Sequence, residues 1–395
     1  MLRLRNRLLP LFRAATAHPS PIQPRALLLL STSTSTTSFA PFSLEDYLVA
    51  ACGLAPTQAR EVSKKAVHQL SIKYRKGKVS SFRLSSASNP DAILALLSSA
   101  GLSRADIAAV VSAEPLLLRT SVKKLAPRLL ALRDRVGLST PQITRFLLVA
   151  SRALLSCDVT PRLEFFTSFY GSFDRVLLAA KRSMFLFSTS LERIIKPNIA
   201  LFRQGGVLDV AKVCLKNPWV LTFKPERVKE FMLRAEELGV PAASPMFGQA
   251  VAIVCCVSPE KVAAKFEFFK RTLGCSESEV SIAVSRMPQI LGLSDATLLR
   301  KIEFLVNEAA MEPQYIVQRP ILLTFSLEKR LVPRHHVMKV LQEKGLLNSN
   351  MNLFTLAHLR EDAFKSKFID GHKDSVPGLA DAYAAACASI VPSRV

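Results

Sequence analysis

Lysine and arginine side chains recur along this sequence at spacings that could hold a phosphate backbone. They lie in segments whose apolar residues are spaced as on one face of a helix. The candidates are Lys123, Lys124, Arg128, Arg193, Lys196, Arg203, Lys224, Arg227, Arg234, Lys261, Lys265, Arg271, Arg300, Lys301, Lys329, Arg330 and Arg334. Equivalent positions of stacked repeats line up on one surface. The spacing therefore predicts a basic stripe that binds nucleic acid with salt-sensitive affinity.

For any single lysine, the alternative is the ordinary charged face of a soluble helix. The whole set argues against that alternative, because acidic residues do not balance it. The chain has 53 Lys and Arg against 31 Asp and Glu, a formal net charge of +22. Such an excess indicates a polyanionic partner, nucleic acid first and an anionic membrane surface second.

Other kinds of chemistry have no signature in the sequence. There is no GxSxG, no HExxH, no P-loop and no glycine-rich dinucleotide motif. The seven cysteines are scattered and form no CxxC pair. We therefore predict a protein that is not an enzyme and that has no metal and no cofactor.

Aromatic and histidine side chains are weaker candidates for nucleic-acid contacts. Aromatic rings can stack on bases, but most of the rings here lie on the apolar stripes of helices, which favours core packing. The rings concerned include Phe165, Phe166, Phe169, Trp219, Phe266, Phe268 and Phe269. His335 and His336 are neighbours and point about 100° apart on a helix, so they do not converge on a ligand. We expect them at the surface or beside a phosphate.

A repeated unit positions the basic residues, and Asn217–Gly239, NPWVLTFKPERVKEFMLRAEELG, shows it best. Pro218 begins a bend with one tight turn. Pro225, seven residues later, begins an amphipathic basic helix that ends at Gly239. Related units start at residues 115, 153, 183, 218, 252, 288 and 320, and an apolar segment precedes each start. With only 14 glycines in the chain, this pattern predicts an all-α solenoid of about seven helical hairpins, of either hand.

The sequence divides into four parts. Residues 1–38 contain five arginines, many serines and no acid, which is typical of an organelle transit peptide, mitochondrial in preference to chloroplast. Residues 39–88 are predicted to form lead-in helices, residues 89–346 the repeat array, and residues 347–395 a C-terminal helical cap and tail. No apolar stretch approaches the ~20 residues that span a bilayer, so we expect a soluble protein.

The Pro-x-x-Leu bend, the second anchor seven residues later and the Leu-Gly stop resemble the mitochondrial transcription termination factor (mTERF) family. The best matches are RTSVKKLAPRLLAL, NPWVLTFKPERVKEFMLRAEELGV, RMPQILGLSDATLLRKIEFLVN and RPILLTFSLEKRLVPRHHVMKVLQEKGL. The ending LREDAFKSKFIDGHKDSVPGLADAY resembles the land-plant branch of that family. The resemblance covers roughly residues 42–385. Ala153, Ser183 and Ala252 replace the first proline of the bend, so we expect looser bends there.

The resemblance implies a curved array of helical hairpins with short 3₁₀ turns, whose basic concave surface holds duplex DNA. Members of the family act in organelle transcription, termination included, and some act on organelle RNA in rRNA maturation or intron splicing. We therefore expect a regulator of organelle gene expression that binds double-stranded DNA as a monomer. Binding of organellar RNA is the first alternative, and a scaffold for protein interactions is the second.

Overall fold

The chain divides into two units, Met1–Pro41 and Phe42–Val395. A computed structural model describes residues 42–73, 86–348 and 351–388, all of which belong to the second unit. The predicted transit peptide lies outside the described residues. Every element of the described part is helical and none is a strand, which confirms the all-α prediction.

The helices form consecutive pairs from α4 onwards, after the first three helices. Their bounds are α1 Leu44–Cys52, α2 Pro56–Lys73, α3 Ser88–Ser99, α4 Arg104–Ala113, α5 Val122–Asp134, α6 Thr140–Ser156, α7 Thr160–Tyr170, α8 Phe173–Arg182, α9 Lys196–Gln204, α10 Val210–Lys216, α11 Pro225–Glu237, α12 Phe247–Val254, α13 Pro259–Leu273, α14 Glu277–Arg286, α15 Asp295–Glu303, α16 Pro313–Gln318, α17 Val332–Glu343, α18 Leu353–His358, α19 Glu361–Phe364 and α20 Leu379–Ala388.

The pairs pack in two layers. The even-numbered helices from α4 to α16 come first in each pair, and contacts between neighbours such as α4 and α6, α6 and α8, and α8 and α10 build one layer. The odd-numbered helices from α5 to α17 come second, with contacts between α5 and α7, α9 and α11, and α13 and α15. We call them first helices and second helices. One continuous apolar core, to which every pair contributes, runs between the two layers.

Proline decides the form of the bend between the two helices of a pair. The 3₁₀ turns Pro115–Arg119, Pro218–Thr222, Pro288–Gly292 and Pro320–Thr324 each begin with a buried proline. At Ala153 and Ala252 the first helix continues through the anchor position, and at Ser183 a turn without regular 3₁₀ structure follows. The three bends that lack the proline therefore differ from the others, as the sequence indicates, because nothing fixes the backbone dihedral angle at their first residue.

Side-chain caps and glycines set the ends of the helices. Ser103 and Ser276 form capping boxes with Asp106 and Glu279, which satisfy backbone N–H groups that have no partner within the helix. The stop after α11 is Gly239 with φ of 76°, a left-handed conformation that glycine adopts without steric cost.

A close approach of α10 and α12 explains a glycine inside a helix. Gly248 is buried in α12, and a Cβ atom built there would lie 2.6 Å from Cγ1 of Val213. Valine has little rotamer freedom in a helix, so its side chain cannot move aside at low cost. The two helices can therefore touch only because residue 248 has no side chain.

We expect Gly248→Ala to lower the free energy of unfolding by about 1–3 kcal/mol, the usual cost of overpacking a core. Val213→Ala in the same chain should recover part of that loss, because it removes the two methyl groups that the new Cβ meets. Urea unfolding of the two single variants and the double variant measures the coupling. Additive effects would show that the two side chains do not compete for this space.

Candidate nucleic-acid interface

A cation stands at the third residue of most second helices, counted from the first helical residue after the bend. The set is Lys124, Arg162, Arg193, Arg227, Lys261 and Lys329, with Thr297 at the equivalent position of α15. In two of these helices the count starts in a π turn, Leu191–Ile195 before α9 and Leu327–Leu331 before α17. We call the six cations the third-position row, which lies at the end of the second helices next to the bends.

Most of the row is free to meet an anion; the exception is Arg162, which is half-buried and donates to the carbonyl oxygens of Thr189 and Asp158. Lys124, Arg193, Lys261 and Lys329 are exposed, and none of them has an acidic partner among the residues that the structure describes. Arg227 is also exposed and pairs with Glu230 at 2.6 Å. An exposed pair of this kind stabilises a protein by only about 0–1 kcal/mol, so a phosphate can compete for the guanidinium.

The row works against the local stability of the helices. The first turn of a helix carries partial positive charge, so a lysine or arginine there is unfavourable. The backbone N–H of the third residue already donates to a capping side chain in several helices. The hydroxyl oxygens of Ser190, Ser258 and Ser326 accept from the N–H groups of Arg193, Lys261 and Lys329. Capping therefore does not require these cations, and their charge remains available for a partner.

Five further candidates lie within two turns of the same helix ends. Lys123 and Lys224 are exposed and flank the row directly, whereas Arg330 is half-buried over the ring of Phe325. The other two, Lys196 and Arg300, are exposed and hold the carboxylates of Glu192 at 2.6 Å and Glu328 at 2.8 Å. The structure thus brings ten of the seventeen predicted site residues to the bend side of the second helices.

Five predicted residues have a different role, which corrects the sequence prediction. Arg128, Arg234, Lys265, Lys301 and Arg334 donate hydrogen bonds to main-chain carbonyl groups of the following bend. Arg334 is fully buried, and Lys265 and Lys301 are 8% and 5% exposed. Arg128 and Arg234 are half-buried. Because all five side chains are held on carbonyl oxygens of a bend, we do not place them in the candidate interface.

The same hydrogen bond recurs from one end of the array to the other. We call its donors the clasp residues; in the described part of the chain they are Asn89, Arg128, Arg162, Asn198, Arg234, Lys265, Lys301 and Arg334. Their acceptors lie, in the same order, at Leu118, Leu154, Thr189, Phe223, Val254, Leu293, Leu323 and Leu359. Each donor therefore ties its helix to the next bend along the chain.

Five of the eight clasp residues stand at the seventh or eighth position of their helix, whereas Asn89, Arg162 and Arg234 are the second, third and tenth residues of α3, α7 and α11. Arg128, Lys265 and Lys301 are the seventh residues of α5, α13 and α15, where the side chain faces the next pair. In the two helices that begin with a π turn, Asn198 and Arg334 are the eighth residues, because a π turn takes up one extra residue. The clasp satisfies carbonyl groups that the short bends leave without a helical partner. Burial lowers the pKa of Lys301, which the carboxylate of Glu328 partly opposes.

Sequence reasoning missed Arg162, Asn198 and Asn89. Asn89 lies inside α3, and its side-chain amide donates to the carbonyl oxygen of Leu118 at 2.6 Å. The amide of Asn198, which is fully buried, donates to Phe223 at 2.8 Å. A lysine, arginine or asparagine at the seventh or eighth position recurs in five of the seven second helices and was the available signal for Asn198, but a search for charge alone passes over asparagine.

The two remaining candidates, Arg203 and Arg271, lie at the far end of the second helices. Each follows a member of the third-position row, Arg193 or Lys261, by ten residues. Ten helical residues span about 15 Å. The structure therefore separates Arg203 and Arg271 from the row. Each lies near a helix C-terminus, where a positive charge stabilises the helix through its dipole. The residues of the single predicted stripe thus fall into three groups: those on the bend side of the second helices, the clasp residues, and Arg203 with Arg271 at the far end.

Most of the aromatic side chains pack in the core, as the sequence indicates. Phe166, Phe268 and Phe269 are buried, and the other four rings predicted to pack in the core are half-buried against it.

The prediction that both histidines of the pair lie at the surface is wrong for His335. This side chain is 7% exposed, and its ring centroid lies 5.4 Å from that of Phe304. Burial, followed by the charge of Lys339, lowers the pKa of His335. His336 is exposed.

A metal site needs several His, Cys, Asp or Glu side chains close together. The described residues contain no group of three or more that could hold a metal ion. All seven cysteines are free thiols. Among the helices of the described part, none is by itself long and apolar enough to cross a membrane, and α12 with α13 meets that criterion only as a pair bent by 111°.

Comparison with known proteins supports the family resemblance over part of the chain. No curated protein matches the chain at a significant level. The mTERF family model matches residues 206–365, a range that contains the bends at Pro218, Pro288 and Pro320. The land-plant branch stays a prediction. Over residues 206–365 this chain is similar to the mTERF family, and the match supports the relationship that the repeated bends and basic helices indicate.

Proposed function

We propose that this protein binds nucleic acid in an organelle, double-stranded DNA first, and regulates transcription there, termination included. The observation that carries the proposal is the third-position row. Its exposed members Lys124, Arg193, Lys261 and Lys329 recur at one helical position and have no acidic partner among the described residues. The match of residues 206–365 to the mTERF family supports the same function.

The row suits a phosphate backbone better than a compact ligand. Packed helices lie about 8–10 Å apart, so cations at one position of successive second helices form a line of similar spacing. Such a line can neutralise several phosphates of one molecule and release their counterions, which gives affinity without sequence readout. One copy of the chain supplies the whole line, so we propose a monomer on the nucleic acid.

The same row can bind organellar RNA, which is the second candidate, with a role in rRNA maturation or intron splicing. Phosphates are common to both polymers, and the match to the mTERF family fits both. We place DNA first because the family resemblance implies duplex DNA. The organelle is proposed to be the mitochondrion, with the chloroplast as the alternative, because residues 1–38 are rich in arginine and free of acid.

Binding of the purified chain to duplex DNA and to duplex and single-stranded RNA of one sequence, over a series of salt concentrations, tests this proposal. We expect binding whose logarithm falls linearly with the logarithm of the salt concentration, tightest for duplex DNA. Tightest binding to RNA would select the second candidate. A folded chain that binds none of the three at low salt would exclude both.

A further inference from the structure

Six side chains form an unbroken series of cation and ring contacts near the C-terminal end of the array. We call them the C-terminal platform, and they are Tyr315, Arg319, Phe325, Arg330, Phe354 and His358. They come from α16, from the bend after it with the π turn that follows, and from α18. Two stretches of the chain, residues 315–330 and 354–358, thus present one cluster of π faces and guanidinium groups.

One half of the platform is centred on Arg319. Its guanidinium carbon lies 4.1 Å from the ring centroid of Tyr315 and 5.3 Å from that of Phe354. The two rings meet edge to face, with centroids 6.4 Å apart and planes at 86°. Contact with two rings restricts the orientation of the guanidinium, and a guanidinium can also stack on a further planar group such as a base.

The other half continues from Phe354 to the bend. His358 stacks on Phe354 with ring centroids 5.8 Å apart and planes at 29°. It also meets Phe325 at 6.4 Å, and the guanidinium of Arg330 lies 5.2 Å from the centre of the Phe325 ring. His358 is exposed, and the other five side chains of the platform are half-buried.

Exposure separates this cluster from the ring contacts of the core. The rings of Phe166 and Phe187, for example, also meet edge to face at 5.9 Å, but both are at most 2% exposed. Core rings exclude a ligand by their burial, whereas the platform keeps ring edges and faces in solvent. An arrangement that combines partly open rings with two arginines is what single-stranded nucleic acid requires, since bases stack on the rings and phosphates pair with the cations.

The platform begins where the third-position row ends. Lys329 is the last member of the row, and Arg330 is the next residue in the chain. Phe325 precedes Ser326, the residue that caps the helix carrying Lys329. A nucleic acid that follows the row towards the C-terminus therefore arrives at the platform.

We propose that the C-terminal platform binds unpaired nucleotides of a strand that leaves the duplex held on the third-position row. Bases inside a duplex are stacked on each other and offer no free face, whereas unpaired bases can stack on rings and on guanidinium planes. The bases lie against His358, Phe354 and Arg319, and Arg330 pairs with a phosphate. This inference rests on the proposed function, because the row brings the duplex to the platform.

Duplexes with and without a short single-stranded tail test the platform in the full chain. We expect a tail at one of the two ends to tighten binding about tenfold, the scale of one or two stacked bases. His358→Ala should remove most of that gain and leave the affinity for blunt duplex unchanged. His336→Ala is the matched control, since His336 is exposed on α17 and has no place in the platform. Phe354→Leu, which keeps an apolar side chain, should act like His358→Ala.

A tail of abasic nucleotides separates stacking from charge. It keeps the phosphates and removes the bases, so we expect it to give little of the gain. Equal affinity for natural and abasic tails, or a tail effect that His358→Ala leaves intact, would overturn the platform while blunt-duplex binding still upheld the proposed function. If the chain bound single strands alone, with loss in His358→Ala, the platform would stand without the row. DNA and RNA tails compared in one experiment identify the polymer.

Discussion

Arg334→Met is expected to lower the free energy of unfolding by about 3–5 kcal/mol. The guanidinium donates to the carbonyl oxygens of Leu356 at 2.6 Å and Leu359 at 2.7 Å and to the carboxylate of Glu361 at 2.8 Å. Methionine fills similar space but donates no hydrogen bond. Each buried acceptor left alone costs about 1–3 kcal/mol, so several together reach the expected range.

The Arg334 contacts also join the terminal cap to the array. Arg334 lies on α17, its acceptors lie at and after α18, and the hydroxyl of Tyr383 on α20 donates to the other oxygen of Glu361 at 3.0 Å. The guanidinium carbon is 4.3 Å from the ring centroid of Phe364. One buried cation therefore holds three C-terminal segments, and its loss should loosen them first, because a repeat array can unfold from its ends.

Urea unfolding followed by circular dichroism measures this effect, with Arg193→Met as the control. Arg193 is an exposed arginine with no acidic partner among the described residues, and a surface change of this kind stays within about 0.5 kcal/mol. Equal stability of the two variants would mean that the carbonyl groups find water or other donors. The expected loss of stability also depends on pH, because Arg334 pairs with the carboxylate of Glu361.

Burial by itself would raise the pKa of Glu361, but hydrogen bonds from Arg334 and Tyr383 outweigh it and lower the pKa below its usual value of 4.5. A lowered pKa in the folded protein means that the ion pair contributes fully above the unfolded value and is lost as the pH falls through the folded value. The difference in stability between the natural chain and Arg334→Met should therefore be constant near pH 7 and shrink below about pH 4.

The sequence predicted helices and bends well because both depend on local chemistry. Apolar spacing defines each amphipathic helix, and a buried proline at residues 115, 218, 288 and 320 starts each 3₁₀ turn. The substitutions Ala153, Ser183 and Ala252 marked the bends that lack this turn for the same reason. None of these features needs a distant partner, so the order of residues is enough to find them.

The roles of the cations could not be predicted in the same way. A lysine at the third position and a lysine at the seventh position of one helix look alike in sequence, as Lys261 and Lys265 do. Only the place of the next bend, 28 residues away in the case of Lys265 and Leu293, makes the second a buried clasp. The platform has the same origin, since Tyr315 and Phe354 meet only when α16 and α18 are packed together.

The combined substitution of Arg193, Lys261 and Lys329 by glutamine should weaken binding to duplex DNA by roughly 10² to 10³ at 0.1 M salt. Three phosphate contacts account for a salt slope of about 2.7, because each neutralised phosphate contributes about 0.9 to the slope. The three side chains are exposed and have no acidic partner among the described residues, so stability should change little. Titration of labelled duplex at several salt concentrations gives both the affinity and the slope.

The same three helices supply the matched control. Arg203, Arg271 and Lys339 are exposed and each follows a member of the first set by ten residues, about 15 Å along the helix. Replacing them by glutamine changes the net charge of the protein equally. If the duplex lies on the row, this second triple variant should keep nearly the natural slope, since charges beyond a Debye length of about 10 Å are screened. Equal losses in both variants would show that net charge, and not the row, attracts the nucleic acid; a loss confined to the second would move the interface to the opposite end of the second helices.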